Sequence, residues 1–578
     1  MEKNMDFRVE SRFIQSSSYR YIFPPMIGLL FAQCAPMVDS VFISGTLGAE
    51  AFSATATLGP LVYSFNIVAA LLGIGCAVVI SRCSGSGEKE TAAHAFTRSL
   101  ILMVITTLIL SAAAMVLIDP LLHLLCATPE NFAYAREYAL AMLPGGVFIV
   151  LNFAGDYILA NDNNKNLAVA GDIAGAVVNM AVDYVGLYLL RSGIWVAGFG
   201  TAFGSLCCCL VYSLHFRKKD RLCRFVSLKR KTGCLRVSEI IKPGVPVAIM
   251  YFLSCVELLI RNFVLSRSAG TSGLSNSEVI ENLYLILSIL IVGVSNAVYP
   301  MAAAYHGEQN RSGMLMVKRS LVRTGFLILL VLAGILFAFP QAAILPYRIQ
   351  DPVVLNTLPS AIRIVAGVNL IAMINMVMIN YLAAVEKEKK ANLAMLIWYA
   401  VQIPLILVFS PWSEMNAPWY AAAIAQVAVL VYLTNFCDHL ATGLRMFHRE
   451  NLLLLRGGKL DPAHVQELEN AAGEILPPDR LELVKEKMFR PILAALPGGV
   501  SPAFSFTILE RTDGRQAVIL RYASRKDDLE AGPPVPETGD GDGEEAIPPD
   551  TCIRSEFLGM RRLMMVLSGQ EEKAGASS

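Results

Sequence analysis

Apolar runs of about 20 residues recur along this chain of 578 residues, from Tyr21 to Leu440. A run of that length forms a helix that is long enough to cross the hydrocarbon core of a bilayer. Only 16% of the residues are charged, whereas soluble domains are usually nearer a quarter. The pattern therefore predicts an all-α polytopic membrane protein, and we expect no enzymatic activity.

The apolar runs divide into twelve predicted transmembrane helices. They cover 22–46, 51–81, 94–118, 132–160, 166–190, 194–216, 240–266, 277–304, 314–340, 355–384, 391–411 and 417–442. Lys and Arg concentrate before the first span, in the even-numbered loops and after the last span. The positive-inside rule then places both termini in the cytoplasm, as in a multi-pass protein of a bacterial cytoplasmic (inner) membrane. We interpret the basic residues at 217–236 as a topogenic loop rather than a nucleic-acid or lipid site, so no nucleic-acid partner is expected.

The two halves of the membrane region repeat at an offset of about 221 residues. Pro24 and Gly48 correspond to Pro246 and Gly270, and Arg98-Ser99-Leu100 recurs as Arg319-Ser320-Leu321. Such a repeat predicts two six-helix bundles related by a pseudo-two-fold axis, which is the architecture of alternating-access carriers. The predicted segments are a leader at 1–20, an N-terminal bundle at 21–216, a basic linker at 217–239 and a C-terminal bundle at 240–445.

Polar side chains concentrate in three spans of the N-terminal bundle. Asp39 stands alone in the first span, and the fifth span carries Asp172, Asn179 and Asp183 on one helical face. Thr201 adds a hydroxyl among the glycines of the sixth span. Charged groups inside a membrane are costly and must face a cavity or each other. Two carboxylates held close share a proton or bind a hard cation, with amide and hydroxyl oxygens completing the coordination.

Three sequence stretches make the chain resemble the multidrug and toxic compound extrusion (MATE) family, which lies in a superfamily that also contains lipid-linked glycan flippases. They are VDSVFISGTLGAEAFSA, GIGCAVVISRCSGSGEKETA and VVNMAVDYVGLYLLRSGIWVAGFGTA, and the resemblance covers about 20–445. In its DinF-like branch the family places a Na+ or H+ site in the N-terminal bundle. The resemblance assigns that role to Asp39, Asn179, Asp183 and Thr201, and Asp172 is grouped with them as a candidate.

The C-terminal bundle differs from the pattern of another branch, which has a cation site there. Glu257 matches the acid of that branch in the seventh span, but the tenth span contains no acid. Arg261 follows Glu257 by one helical turn, so the two can form an intrahelical ion pair. Two interpretations stay open, a buried structural or gating pair and a second binding site.

Aromatic, Met and Asn side chains in the C-terminal bundle are candidates to line an adaptable substrate cavity between the bundles, although such residues often only pack. These candidates are Tyr251, Tyr284, Tyr299, Asn369, Met373, Met376 and Asn380. The twelve cysteines contain no C-x-x-C pair and the seven histidines show no ligand spacing. We therefore predict no cofactor and no structural metal apart from a coupling Na+ or H+.

After Arg456 the composition changes to that of a small cytoplasmic α+β domain at 457–578. Two helices are predicted, the second with an Asp479 N-cap, followed by a hairpin that turns at Asp513-Gly514 and a last helix over SEFLGMRRLMMVLS. Residues 527–550 read as an acidic, Pro/Gly-rich loop. The order weakly resembles a degenerate anti-sigma or histidine-kinase-like ATPase module, and an unrelated cap or dimerisation domain is the alternative.

Together these features predict a secondary antiporter that exports small organic, often cationic, compounds in exchange for Na+ or H+. A flippase for a lipid-linked glycan is the alternative within transport, although few basic residues lie inside the spans. The alternative outside the class of transporters is a membrane sensor that has lost transport and signals through its C-terminal domain. That domain also suggests a cytoplasmic protein partner.

Overall fold

Membrane-spanning helices make up most of this protein, whose structure is a computed structural model. It describes residues 35–86, 88–162, 164–217, 221–227, 236–437, 451–457, 462–491, 504–511, 515–522, 552–557 and 560–567, with seven single positions before residue 35. Ten helices in this part of the chain are long and apolar enough to cross a membrane. One of them, Val237–Gly307, has 71 residues and is broken at Ala269 and Gly270, so it supplies two spans.

Twelve helices, α1 to α12, follow from this division. The described part of α1 is 35–47, and α7 and α8 are the two parts of Val237–Gly307. The others are α2 Ala49–Ser86, α3 Lys89–Val116, α4 Phe132–Asn161, α5 Lys165–Leu189, α6 Trp195–Arg217, α9 Arg311–Ala338, α10 Pro352–Ala384, α11 Glu388–Ser413 and α12 Ala417–Cys437. The predicted all-α polytopic fold is confirmed, and the helix ends fall within several residues of the predicted spans.

Positive φ angles at equivalent positions support the predicted repeat. Gly48 ends α1 with φ 91°, and Gly270 ends α7 with φ 55°. Cys126 and Arg348, which follow α3 and α9, have φ 65° and 50°. Each pair is separated by 222 residues. Residues with a Cβ atom rarely adopt such φ angles, which explains why glycine stands at the two tight turns between antiparallel spans.

The ends of the two bundles that contain these turns are in contact. Asn262 Nδ2 on α7 donates to Ala56 O on α2 at 2.7 Å, and Ser275 Oγ on α8 donates to Ala49 O at 3.2 Å. Ser44 Oγ on α1 donates to the carbonyl of Tyr347, which lies between α9 and α10. The predicted orientation makes this the outer side of the membrane. We call this set of hydrogen bonds the outer contact.

A five-stranded antiparallel sheet forms the C-terminal domain, with strand order β1-β2-β3-β5-β4. The elements are β1 Asn451–Gly457, α13 Pro462–Gly473, α14 Pro478–Phe489, β2 Phe504–Glu510, β3 Gln516–Tyr522, β4 Cys552–Phe557 and β5 Met560–Val566. The predicted helices and the hairpin strands are present. The turn at Asp513-Gly514 and the loop at 527–550 lie outside the described residues. The sheet begins at Asn451, before the predicted domain start.

Two local predictions for this domain were wrong. The segment predicted as the last helix forms the hairpin β4–β5. Strand β5 is buried on both faces: Leu563 and Met565 pack towards α13 and α14, and Met564 and Val566 lie on the opposite face. A strand buried on both faces reads as a continuous apolar run, which is easily mistaken for a short helix. Asp479 lies in the first turn of α14, whose N-cap is Pro477.

The C-terminal domain contacts the end of α8 through a buried ion pair. Arg521 Nη2 on β3 lies 2.6 Å from Glu308 Oε2, and these side chains are 2% and 0% exposed. The Arg521 guanidinium also lies 5.6 Å from the centre of the Tyr305 ring, and Arg511 Nε donates to Gln309 Oε1 at 3.3 Å. One face of the sheet is thus attached to the membrane region at 305–309.

We expect Arg521→Met to loosen this attachment, because a buried carboxylate that loses its partner costs roughly 3–5 kcal/mol. Limited trypsin digestion of the purified full chain in detergent should release the C-terminal domain faster than from the wild type. Arg490→Met is the matched control, since Arg490 pairs with Glu482 at 3.5 Å on an exposed surface of the same domain. The charge exchange of Arg521→Glu with Glu308→Arg should restore resistance; equal digestion of all four chains would contradict the attachment.

Candidate functional site

Four of the predicted site residues lie in one region of the N-terminal bundle. Asp39 on α1 is 6% exposed, and Asn179 and Asp183 on α5 are 7% and 0% exposed. The Asp39 and Asp183 carboxylates interact electrostatically across the two helices. Thr201 on α6 is half-buried, one residue after the Gly200 that faces Asp183 and Asn179. We call Asp39, Asn179, Asp183 and Thr201 the acid site.

Several polar atoms of the acid site have no hydrogen-bond partner in the part of the chain that the structure describes. They are Asp39 Oδ1, Asn179 Nδ2 and both carboxylate oxygens of Asp183. A buried polar group left unpaired costs about 1–3 kcal/mol, and more when it is charged. The arrangement therefore has unused ligand capacity for a proton or a hard cation, and the Asp and Thr oxygens are the donors that such a cation prefers.

The backbone around Asp183 is adapted to bring α5 and α6 close together. A Cβ atom at Gly200 would lie only 2.8 Å from Asp183 Oδ1, so a larger residue would push against the carboxylate. The helix changes to a π-helical turn at Tyr184–Leu189, directly after Asp183. Such turns are rare and are frequent at functional sites, because they locally reorient side chains.

Tyr138 on α4 joins the acid site and was not predicted. Its hydroxyl lies 3.3 Å from Thr201 Oγ1 and interacts with the carboxylates of Asp39 and Asp183. A phenol can donate to a carboxylate or accept from a hydroxyl, so it can follow a change of charge at Asp39. A single Tyr in an apolar span carries no sequence signal for this role.

Asp172, the fifth candidate, lies apart from the acid site. Its Oδ1 accepts a hydrogen bond from Tyr212 Oη at 2.8 Å and faces Cys208 Sγ at 3.7 Å. Asp172 precedes Asp183 by three helical turns, which corresponds to about 16 Å along α5. It belongs to a separate polar cluster between α5 and α6.

Glu257 and Arg261 form the predicted contact within a larger network. Arg261 Nε lies 3.9 Å from Glu257 Oε1, but its closer partner is Glu281 Oε2 on α8, at 2.7 Å from Nη2. Gln402 Nε2 on α11 donates to Glu257 at 3.1 Å, and Tyr63 Oη on α2 donates to Glu281 at 3.4 Å. The network thus crosses from the C-terminal to the N-terminal bundle, and Arg261 is shared by two acids.

Two acids on α8, Glu278 and Glu281, were not predicted as site residues. The predicted span began at residue 277, which placed both at the membrane edge, whereas the helix continues from the break at Gly270. Their spacing of three residues within SNSEVIENLYL puts them on one helical face. This pattern was the available signal.

Two of the predicted cavity-lining aromatics lie near the junction of the bundles. Tyr251 on α7 is half-buried, with its ring centre 6.3 Å from that of Tyr63 on α2 and 5.5 Å from that of Phe153 on α4. Tyr284 on α8 is half-buried and interacts electrostatically with Arg261. Their position is compatible with a cavity between the bundles.

The other lining candidates have different surroundings. Tyr299 is 54% exposed. Asn369 is buried and donates to the Val365 carbonyl of its own helix at 2.8 Å, while Met373 is fully buried near Gly325 of α9. Met376 and Asn380 are half-buried on α10. Asn369 and Met373 therefore serve packing within the C-terminal bundle.

A further polar cluster connects α4, α6 and the basic linker. Asp162 Oδ2 lies 2.6 Å from His215 Nε2 and accepts from the Cys223 amide at 3.0 Å, while Oδ1 accepts from the Leu222 amide at 3.0 Å. Burial acts to raise the pKa of Asp162, but the hydrogen bonds from His215 and the two amides lower it to about 2. The ligand atoms of Asp162, His215 and Cys223 lie within 4.8 Å of one another. Because protein donors already satisfy both carboxylate oxygens, we interpret this cluster as an anchor for the linker.

The membrane region is similar to several known proteins of one transporter family. Residues 24–185 match the MatE family. The multidrug export protein MepA of Staphylococcus saprophyticus is 23% identical over 423 residues, which are 71% of this chain and 92% of that protein. MepA of Staphylococcus haemolyticus is 22% identical over 314 residues, 54% of this chain and 69% of that protein.

Solved structures share the fold. An inward-facing multidrug resistance MATE transporter of the MOP superfamily superposes with a TM-score of 0.66 at 20% identity, covering 75% of this chain and 99% of that one. An outward-facing structure gives a TM-score of 0.59, also at 20% identity, covering 75% and 97%. About a quarter of this chain has no counterpart in these structures.

The anchor at Asp162 leads to a stability prediction. Because its pKa is lowered, the carboxylate stabilises the fold above the ordinary Asp value of about 4, and this contribution is lost as the pH falls through about 2. At pH 7 we expect Asp162→Asn to lower the free energy of unfolding by about 1–3 kcal/mol, because the amide nitrogen that replaces one carboxylate oxygen cannot accept the hydrogen bond that this oxygen receives. Thermal denaturation in detergent measures this, with the exposed Asp119→Asn as control; equal stability of both variants would contradict the anchor.

Proposed function

We propose that this chain is a member of the MATE family, as its N-terminal match and its fold support, and that it exports small organic cations in exchange for Na+ or H+. The coupling ion binds at the acid site in the N-terminal bundle. The protein lies in a bacterial cytoplasmic membrane with both termini inside, as the distribution of basic loops favours. The assignment of the acid site follows the DinF-like branch.

The observation that carries this proposal is the pair of buried carboxylates with unpaired oxygens. Asp39 and Asp183 interact across α1 and α5, and three of their oxygen atoms have no partner in the described part of the chain. Two carboxylates in a medium of low dielectric repel each other strongly, so one proton or one cation between them is strongly favoured. Loading therefore changes the net charge inside one bundle, which a two-state carrier needs for coupling.

Tyr138 and Thr201 give the site its polar complement. The Thr201 hydroxyl and the Asn179 side chain offer neutral ligands to a cation, and the Tyr138 hydroxyl connects Thr201 with Asp39. If a proton is the coupling ion, the same Tyr can donate to whichever carboxylate stays ionised. The geometry serves both ions, so the acid site binds either Na+ or H+.

The network around Arg261 favours a cationic substrate. Glu257, Glu278 and Glu281 place three acids near the junction of the bundles, against one arginine, Arg261. The neighbouring rings of Tyr63 and Tyr251 offer aromatic faces to an organic cation. A multidrug cavity of this kind binds by charge and adaptable apolar contact rather than by a fixed hydrogen-bond pattern.

A lipid-linked glycan flippase is the weaker alternative, because an anionic pyrophosphate needs cationic anchors. Arg261 is already paired with Glu281, and Arg363 Nε donates to the Phe337 carbonyl at 3.1 Å. A sensor that signals through its C-terminal domain gains support from the buried ion pair between Arg521 and Glu308. The unpaired oxygens of the acid site favour transport over that role.

Removing one carboxylate of the acid site tests the proposal. In proteoliposomes with an imposed Na+ or pH gradient, we expect Asp39→Asn and Asp183→Asn to reduce gradient-driven efflux of a cationic dye to that of empty liposomes. Each variant loses the charge that the ion must neutralise. Varying Na+ and pH separately identifies the coupling ion.

Asp119→Asn is the matched control for these variants, because Asp119 pairs with Arg136 at 2.9 Å on an exposed surface. It should transport like the wild type. Size-exclusion chromatography and thermal denaturation show whether each variant is folded. Wild-type efflux by both acid-site variants would remove the acid site as the coupling site.

A further inference from the structure

Glu278 of α8 reaches across to α1 at the residue next to Asp39. Ser40 Oγ donates to Glu278 Oε1 at 3.0 Å, and Asn282 Nδ2 donates to the same oxygen at 3.3 Å. Ser40 is 4% exposed and Asp39 is 6% exposed. A carboxylate of the C-terminal bundle therefore accepts a hydrogen bond from Ser40, the residue next to Asp39 of the acid site.

One turn of α1 faces both bundles. Successive helical residues point about 100° apart, so Asp39 can face Asp183 while Ser40 faces Glu278. Ser44, one turn beyond Ser40, donates to the Tyr347 carbonyl of the C-terminal bundle. The acid site and part of the outer contact thus share one short segment of α1.

The charged and titratable groups around Glu278 are mostly acidic or neutral. The carboxylates of Asp39 on α1 and Glu281 on α8 interact with it unfavourably. Arg261, the nearby cation, is held by Glu281 and Glu257. The other described groups that interact with Glu278 or with Asp39 are Asp183, Ser40, Thr55, Asn282, Tyr347 and Tyr138.

We propose that Glu278 is a positioning residue through which the C-terminal bundle responds to the ion at Asp39. This rests on the proposed function, in which the coupling ion loads the acid site. When Asp39 is charged and unloaded, repulsion between the two carboxylates opposes the bond between Ser40 and Glu278 and favours opening of the outer contact. When an ion neutralises Asp39, the repulsion ends and the outer contact closes.

The direction of this effect agrees with the order of events in an antiporter. An ion that enters from outside loads the acid site, and the loaded carrier must then close outside and open inside. After the ion leaves inside and the substrate binds, Asp39 has regained its charge and opening to the outside is favoured again. The repulsion between Glu278 and Asp39 differs between the loaded and the unloaded carrier, and this difference shifts the equilibrium between the outward-open and the outward-closed state.

Cysteine accessibility at the outer contact measures this response. Ser275→Cys introduces a reporter within the outer contact, where the buried Ser275 donates through Oγ to Ala49 O. A membrane-impermeant maleimide is applied from outside to vesicles that contain the full chain. The chain without the introduced cysteine gives the background from native cysteines such as Cys126. In the reporter chain we expect Na+, or a lower pH in a separate arm, to slow labelling by about threefold to tenfold.

Two variants should move the labelling rate in opposite directions. Glu278→Gln keeps an oxygen for Ser40 but removes the charge, so labelling should be slow and should no longer respond to Na+ or pH. Ser40→Ala removes the hydrogen bond but keeps the charge, so labelling should become faster and still respond. Glu278→Asp keeps the charge and should retain the response, which separates the role of charge from damage to the fold.

The outcomes separate the two proposals. If Glu278→Gln retains the ion response while Asp39→Asn loses it, the role of Glu278 is overturned and the acid site stands. If Asp39→Asn retains the response, the acid site itself fails. If Glu278→Gln and Ser40→Ala both only accelerate labelling, Glu278 is a structural tie and the proposal is overturned.

Discussion

The burial of two carboxylates, Asp39 and Asp183, is the constraint on which the membrane region depends. Ions of one sign cannot be held together away from water unless a cation or a proton joins them. The surroundings maintain this situation: Gly200 leaves room for the Asp183 carboxylate, and Tyr138 and Thr201 offer polar atoms without a compensating charge. In the proposed function, the coupling ion neutralises this pair of carboxylates.

The internal repeat puts opposite charges at equivalent places. Arg261 occupies the position in the C-terminal bundle that Asp39 occupies in the N-terminal bundle, at the same spacing of 222 residues as the paired turns at Gly48 and Gly270. Arg261 is neutralised by Glu257 and Glu281, so that its bundle carries its own counter-charge. Among the described residues, neither Asp39 nor Asp183 forms an ion pair with Lys or Arg. In the proposed function, one bundle therefore loads the ion and the other faces it with fixed charges.

Much of this arrangement was predictable because it follows from local pattern. Apolar periodicity predicted the spans, and the cost of an intramembrane charge drew attention to Asp39 and Asp183. Glu278 and Glu281 were missed because a span boundary is uncertain by a few residues, and at a boundary an acid seems solvated. Contacts such as Arg521 with Glu308 join residues 213 positions apart, and no local pattern encodes that pairing. The hairpin β4–β5 was misread as a helix because the burial of β5 on both faces removes the alternation that marks a strand.

Helix α8 connects the features that the sequence did not predict. Its first part carries Glu278, beside the acid site, and its end carries Glu308, to which the C-terminal domain is bonded. The two residues are 30 positions apart on one helix, which corresponds to about 45 Å. Because α8 belongs to one bundle, a movement that broke the hydrogen bond between Ser40 and Glu278 would also carry the attached domain. In the proposed function, the domain would therefore follow the bundle that faces the ion site.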